Sequence, residues 1–150
     1  MRIRPIGLVP VAALLLAGGC AAGPRGPGAS RLSATPGGAL AQIYYWRARP
    51  GRLDEYTRYI REHAEPIDAE ARRTGAFLSV TTYVSSDTLG PWTHMRVFIL
   101  RDSAQLVALP AALSAAGVRL EPDSVERRRS AEYASGLRDG AGSAVVRILK

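Results

Sequence analysis

A chain of 150 residues has room for one ordinary domain, since domains run at about 100 to 200 residues each, and a multidomain enzyme is therefore excluded. Apolar residues make up 47% of the chain and charged residues 22%, which is typical of a globular protein and excludes a disordered chain or a coiled coil. The formal net charge of +7 comes from arginine apart from Lys150, and the arginines are dispersed along the chain. Dispersed arginines form no basic stripe, so we expect no nucleic-acid partner.

The first twenty residues have the layout of an export signal. Arg2 and Arg4 precede an apolar stretch at residues 6–17, which is shorter than the roughly 20 residues needed to span a bilayer. The run that ends at Cys20 (LAGGC) resembles the lipobox of bacterial lipoproteins, whose cysteine thiol receives diacylglycerol. We predict a signal peptide over residues 1–20 and lipidation of Cys20, which would anchor the exported protein to a membrane of the cell envelope. The alternative is a secreted or periplasmic protein in which Cys20 is a free thiol.

Residues 21–40 contain eight Gly or Pro and no aromatic residue, which indicates a flexible tether. A flexible chain of this length spans on the order of 25 Å, enough to hold a small domain clear of lipid headgroups. The predicted folded domain therefore covers residues 41–150.

The domain begins with a predicted strand and a long helix. Residues 42–47 (QIYYWR) are rich in β-branched and aromatic residues, as strands are. Apolar residues then recur every three or four positions over residues 53–71, which predicts a helix with one buried face that ends at Gly75. Pro66 lacks a backbone donor, so we expect a kink or a restart near Glu65.

The second half of the domain is predicted from strand composition and from capping boxes at two aspartates. In chain order, it contains strands over residues 76–85 and 93–100, a helix from Asp102 that Gly117 closes, a helix from Asp123 to about Leu137, and a last strand over residues 143–149.

Without the extra helix before the last strand, this order is βαββαβ, the ferredoxin-like α+β unit with an antiparallel sheet and helices on one face. Large apolar or aromatic residues occupy both faces of the strands at 76–85 and 93–100. A sheet with one solvated face would alternate apolar and polar residues. The second face therefore suggests a ligand cavity, a dimer interface or both.

Residues 44–56 (YYWRARPGRLDEY), followed by a helix through Pro66 to Gly75 and a strand ending near Tyr83, resemble the dimeric α/β-barrel superfamily. NIPSNAP-like and antibiotic-biosynthesis-monooxygenase-like domains belong to it. The resemblance covers residues 41–149 and implies a homodimer in which two ferredoxin-like units pair their sheets. Members include cofactor-independent oxygenases, isomerases, haem-degrading enzymes and domains without an assigned activity. Haem degradation is not expected, because those members use an asparagine and this chain has none.

His94 and Arg96 lie on one face of the strand at 93–100 and are the candidate catalytic residues. A histidine that accepts a proton, beside a cation that holds an enolate or phenolate, is the pair that a cofactor-independent oxygenase or an isomerase needs. The alternative for His94 is a hydrogen-bonded histidine at the start of an edge strand.

The candidate residues for a ligand pocket are aromatic: Tyr44, Trp46, Tyr83 and Phe98. Such residues also serve as core or interface filler. No metal site is expected, since His63 has only Glu62 and Glu65 near it in sequence and a site needs at least three converging ligands. No phosphate-binding loop is present either, so we expect no cofactor.

The leading interpretation is an exported, lipid-anchored envelope protein whose dimeric ferredoxin-like domain binds a small apolar or aromatic molecule. One alternative is a cofactor-independent oxygenase or isomerase that uses His94 as acid and base. The other is a purely structural envelope protein.

Overall fold

The computed structural model of the protein describes residues 38–149. The predicted signal peptide, Cys20 and the tether as far as residue 37 lie outside the described residues. The elements are, in chain order, β1 (Leu40–Ala48), α1 (Leu53–Tyr59), a π-helical turn (Ile60–Ala64), α2 (Glu65–Arg73), β2 (Ser79–Val84), β3 (His94–Leu100), α3 (Ser103–Leu120), α4 (Ser124–Leu137) and β4 (Arg138–Arg147).

The four strands form one sheet in the order β2-β3-β1-β4, and every neighbouring pair is antiparallel. The first helical segment connects β1 to β2, and β3 lies between these two strands. This is the split βαβ arrangement of the ferredoxin-like fold, with α4 as the extra helix before the last strand. The predicted α+β fold class is confirmed.

The segment from α1 to α2 is a continuous helix that is locally widened by the π-helical turn. The predicted restart near Glu65 is observed, because α2 begins there and places Pro66 in its first turn. A proline inside a continuous helix removes one backbone hydrogen bond, and the π-helical turn directly before Pro66 widens the helix at that point. The sequence thus builds one long amphipathic segment with an irregular centre, and Tyr56, Ile60 and Ala71 are buried along it.

Helix α3 begins as predicted, with the Asp102 side chain accepting a hydrogen bond from the Gln105 backbone N–H at 2.9 Å. The predicted end at Gly117 is wrong: α3 continues to Leu120, and Gly117 packs near Ile67 of α2. A glycine inside a helix gives this close packing more room than a larger residue would. Of the helices described, α3 has the length and apolar composition of a membrane span, and it buries Leu109 in the domain core.

Strand β4 follows α4 without a loop and begins at Arg138, earlier than the predicted start at residue 143. The glycines at 140 and 142 had suggested a connection, but they lie inside the strand, where the pairing register with β1 shifts between Tyr45 and Trp46. Gly142 has a φ of 125°, which favours glycine at this irregularity.

The helices cover one face of the sheet only. Cross-strand neighbours share a face, so Trp46 lies beside His94 and Tyr44 beside Arg96 on the helix side. The opposite face, here called the open face, carries partly exposed apolar and aromatic residues that no other described element covers: Ile43, Tyr45, Tyr83, Met95, Val97, Ile99 and Val146. The second face of the sheet is therefore apolar, as predicted, and no described helix or strand covers it.

Candidate functional site

Buried polar residues lie between the sheet and the first helical segment. His94 is 0% exposed and Arg96 is 7% exposed, and they occupy alternate positions of β3 on its helix side. Asp68 of α2, 4% exposed, faces them together with Tyr56 of α1. Buried ionisable residues are uncommon unless they are paired, so this group is the candidate functional site.

Arg96 forms an ion pair with Asp68, which joins β3 to α2. Burial lowers the pKa of Arg96 from its ordinary value, because an apolar environment disfavours the charged form. The Arg96 Nε has no hydrogen-bond partner among the residues described. A buried donor without a partner calls for a specific explanation, and a bound acceptor is one.

The two ring nitrogens of His94 both contact threonine hydroxyls, at 3.0 Å each. The Thr57 Oγ1 donates its proton to the Leu53 carbonyl at 2.8 Å, so towards His94 it can only accept a hydrogen bond from the Nε2–H. The Thr93 hydroxyl is 3.0 Å from the His94 Nδ1 and 3.4 Å from the Trp46 carbonyl, and we assign its one proton to the shorter contact, in which Nδ1 accepts. This network assigns a neutral ring with its proton on Nε2 and leaves neither nitrogen free.

Burial, together with the positive charge of Arg138, lowers the pKa of His94 from 6.5 to about 4. A neutral ring at pH 7 agrees with the hydrogen-bond pattern. The predicted acid and base role of His94 stays a prediction. With both ring nitrogens in contact with threonine hydroxyls, a reacting molecule reaches them only by displacing one of these hydroxyls.

Arg138 closes the opposite side of the group, at the start of β4. Its guanidinium lies over the Trp46 ring at 4.5 Å and over the Tyr56 ring at 5.4 Å, which stabilises the cation through the ring faces. Its Nη1 is buried without a hydrogen-bond partner in the described part of the chain. Burial also raises the pKa of Tyr56, which therefore remains a neutral phenol.

Two adjoining cavities lie between β2 and the first helical segment, and we call them together the β2 cleft. Their volumes are about 210 and 120 Å³, and they share Glu65 and Thr82 in their walls. The smaller cavity also reaches His94, and the larger one reaches Asp68. Thr82 is the cross-strand neighbour of Arg96, so the Arg96–Asp68 pair borders the larger cavity, with Asp68 in its wall and Arg96 beside Thr82.

The structure brings most of the predicted site residues to one side of the sheet. Tyr44 stacks on Trp46 with ring centres 5.6 Å apart and contacts Phe98 edge to face at 5.9 Å. Phe98 is buried in the core, and these three rings back the polar group and do not line the β2 cleft. Tyr83 lies on the open face, 48% exposed, so it does not join them.

No group of three or more possible metal ligands occurs within residues 38–149. His63 lies on the outer side of the helix and stacks on Tyr59 at 4.8 Å.

Sequence reasoning did not single out Asp68, Tyr56 or Arg138 as site residues. The signal for Asp68 was present: it lies four residues after Ala64, on the apolar stripe of the helix, where a lone acid must find a cationic partner. Arg138 had no such signal, because its role depends on β4 starting directly after α4.

No protein-family model and no curated protein matches the sequence. Among solved structures, the domain is similar to HapK from Hahella chejuensis, with a TM-score of 0.51 and 12% identity over 73% of this chain and 92% of that one. It is also similar to SnoaB, a cofactor-independent oxygenase from Streptomyces nogalater (TM-score 0.48, 10% identity, 75% and 95% covered). A third similar structure is a dimeric ferredoxin-like protein of unknown function from Jannaschia sp. CCS1 (TM-score 0.45, 17% identity, 75% and 100% covered). Identities this low show a shared fold alone.

The buried, neutral His94 predicts that stability falls as the pH is lowered. Its folded pKa of about 4 lies below its ordinary value of 6.5, so between these values the unfolded chain binds more protons than the folded one. The stabilisation is complete above pH 6.5 and is lost towards pH 4, and a shift of this size corresponds to about 3 kcal/mol. Urea unfolding monitored by circular dichroism at pH 7, 5.5 and 4.5 should show this loss.

The control is His94→Gln, which cannot titrate. Its free energy of unfolding should change less over the same range. The pKa of Glu70 is lowered from 4.5 to about 2, so the stability that Glu70 contributes is lost mainly below pH 4.5, at lower pH than the loss from His94. Equal pH dependence in the two proteins would contradict the assignment.

Proposed function

We propose that the domain binds a small aromatic molecule with an acidic oxygen in the β2 cleft. The observation that carries this proposal is the partnerless Nε of Arg96, a buried residue beside Thr82 of the cleft wall. The proposal keeps the ligand class inferred from the sequence and adds an anionic group to it.

The cleft has the size for one or two aromatic rings. An apolar cavity of about 150 Å³ is enough for benzene, and the two adjoining cavities here measure about 210 and 120 Å³. The walls contributed by Ile60, Val80 and Val84 are apolar, and they suit the flat faces of a ring system.

The charges around the cleft favour an anion. The cleft lining holds the carboxylates Glu65 and Asp68, and the cations Arg61 and Arg72 of the lining together with Arg96 beside it outnumber them. The Arg96 Nε has no partner among the residues described. A hydrogen bond between a guanidinium and a carboxylate or phenolate oxygen is charge-assisted and stronger than a neutral one. An acidic oxygen on the ligand therefore supplies what the Arg96 Nε lacks.

The proposal is tested with 2-naphthoate and its neutral analogue 2-naphthamide, by isothermal titration calorimetry on the full chain. Asp68→Asn removes the carboxylate that competes for Arg96 and should tighten 2-naphthoate binding. The double variant Asp68→Asn/Arg96→Gln leaves no unpaired buried charge and should weaken 2-naphthoate binding about 10-fold or more, the value of a lost charge-assisted hydrogen bond of roughly 1.5 to 3 kcal/mol.

The neutral 2-naphthamide serves as the matched ligand control, because it has the same rings and no charge. Its affinity should change little in either variant. If 2-naphthoate bound all three proteins equally, Arg96 would have no part in recognition and the proposal would be wrong.

We further propose that the protein is a homodimer in which a second copy covers the open face. Partly exposed apolar residues on this face, such as Val146, need a cover, because an exposed apolar patch favours association. Val97→Glu places a charge at the centre of the face and should convert a dimer into a monomer in sedimentation equilibrium. Ser86→Glu adds the same charge to the β2–β3 loop and should leave the dimer intact. A monomeric unmodified protein at high concentration would overturn this proposal.

Export and lipid anchoring through Cys20 also belong to the proposed function. Their support is the sequence pattern of residues 1–20. In bacterial cells grown with an alkynyl fatty acid, the unmodified chain should incorporate the label and Cys20→Ser should not. Gly19→Ala keeps a small residue before the cysteine and should still be labelled. Labelling that persists in Cys20→Ser would contradict the anchor.

A further inference from the structure

A cavity separate from the β2 cleft lies on the outer side of the helical layer, and we call it the helix groove. It runs between the π-helical turn, α2, α3 and α4 and has a volume of about 670 Å³. This volume falls in the range of roughly 300 to 1,000 Å³ in which small-molecule sites lie. The groove and the β2 cleft share no lining residue, because they lie on different faces of the first helical segment.

One wall of the groove is aromatic. The Tyr59 ring stacks on His63 at 4.8 Å and meets Tyr133 edge to face at 5.9 Å. The facing wall is apolar and comes from α2 and α3, through Ile67, Leu113, Pro66, Gly117 and Leu120. A flat ring placed between these walls would contact the aromatic side chains on one side and alkyl groups on the other.

Most polar groups of the lining already have partners within the fold. The Tyr59 hydroxyl contacts the Ser130 hydroxyl, and the Tyr133 hydroxyl donates to Glu55. Arg127 donates to backbone carbonyls at the end of α3, and Arg129 pairs with Glu126. Arg127 is therefore the one guanidinium of the lining without a carboxylate partner among residues 38–149, and it stands against the two unpaired carboxylates of Glu62 and Glu121.

The carboxylates that remain make the groove unfavourable for anions. Glu62 and Glu121 line it, and neither has an ion-pair partner among residues 38–149. We propose that the helix groove binds a flat, uncharged aromatic molecule of two or three rings. This site is independent of the β2 cleft. The cleft is proposed to bind an anionic aromatic molecule, whereas the helix groove binds an uncharged one.

The probe is N-phenyl-1-naphthylamine, an uncharged aromatic compound whose fluorescence rises in apolar sites. Its sulfonated analogue, 1-anilinonaphthalene-8-sulfonate, has the same rings and a negative charge. The unmodified full chain should bind the uncharged probe more tightly than the sulfonate, by about tenfold, since Glu62 and Glu121 repel the anion.

Gly117 allows the groove to be filled from its wall. A Cβ atom there would lie 3.7 Å from the Ile67 Cδ1, an ordinary contact, so alanine fits and a larger side chain extends into the groove. Gly117→Phe should weaken binding of N-phenyl-1-naphthylamine about tenfold or more, whereas Gly117→Ala should change it less than about twofold.

A second pair of variants does not depend on how Gly117→Phe folds. Leu120 lines the groove and is 50% exposed, and Val125 is 44% exposed and lies outside it. Leu120→Glu should weaken binding of the uncharged probe, and Val125→Glu should not. The proposal is overturned if neither Gly117→Phe nor Leu120→Glu weakens binding, or if the sulfonate binds the groove as tightly as the uncharged probe. Loss of 2-naphthoate binding in the cleft variants would not affect this result.

Discussion

The ion pair between Arg96 and Asp68 is the interaction on which the site depends. It places two opposite charges between β3 and α2, at positions that the strand and helix periods would otherwise fill with apolar side chains. A buried pair adds little net stability compared with well-packed apolar residues, whereas loss of one partner costs about 3 to 5 kcal/mol. The pair therefore adds little to the free energy of unfolding, yet neither Arg96 nor Asp68 can be replaced alone without a large loss of stability. Because the Arg96 Nε has no acceptor among the residues described and Arg96 lies beside Thr82 of the β2 cleft, we interpret the pair as part of a recognition site.

The π-helical turn connects the two proposed binding sites. Its residues Ile60 and Arg61 line the β2 cleft, and Glu62 and His63 line the helix groove. A π turn widens the helix, and such turns are frequent at functional sites. Here the wider turn presents neighbouring residues to opposite sides of the helical layer. The extra helix α4 then supplies the outer wall of the groove, which a plain βαββαβ unit would lack.

Much of the fold could be predicted from the sequence, because local signals and the tertiary structure agree. Hydrophobic periodicity placed the first helix, Pro66 marked its irregular centre, and the aspartates that cap α3 and α4 marked where these helices begin. Predictions failed where glycine was interpreted as a terminator: Gly117 lies inside α3, and the glycines at 140 and 142 lie inside β4. There, continuation of the α3 helix and pairing of β4 with β1 outweighed local propensity. For the site, strand alternation placed His94 and Arg96 together, but their partners came from other elements, and only the folded chain shows which residues meet.

The most direct test of the proposed anion site is a crystal structure of the full chain with 6-bromo-2-naphthoate, in which anomalous scattering locates the bromine. We expect a bromine peak in the β2 cleft and the ligand carboxylate within hydrogen-bond distance of the Arg96 Nε. A peak confined to the open face or the helix groove, with the Arg96 Nε still without an acceptor, would contradict the proposed anion site.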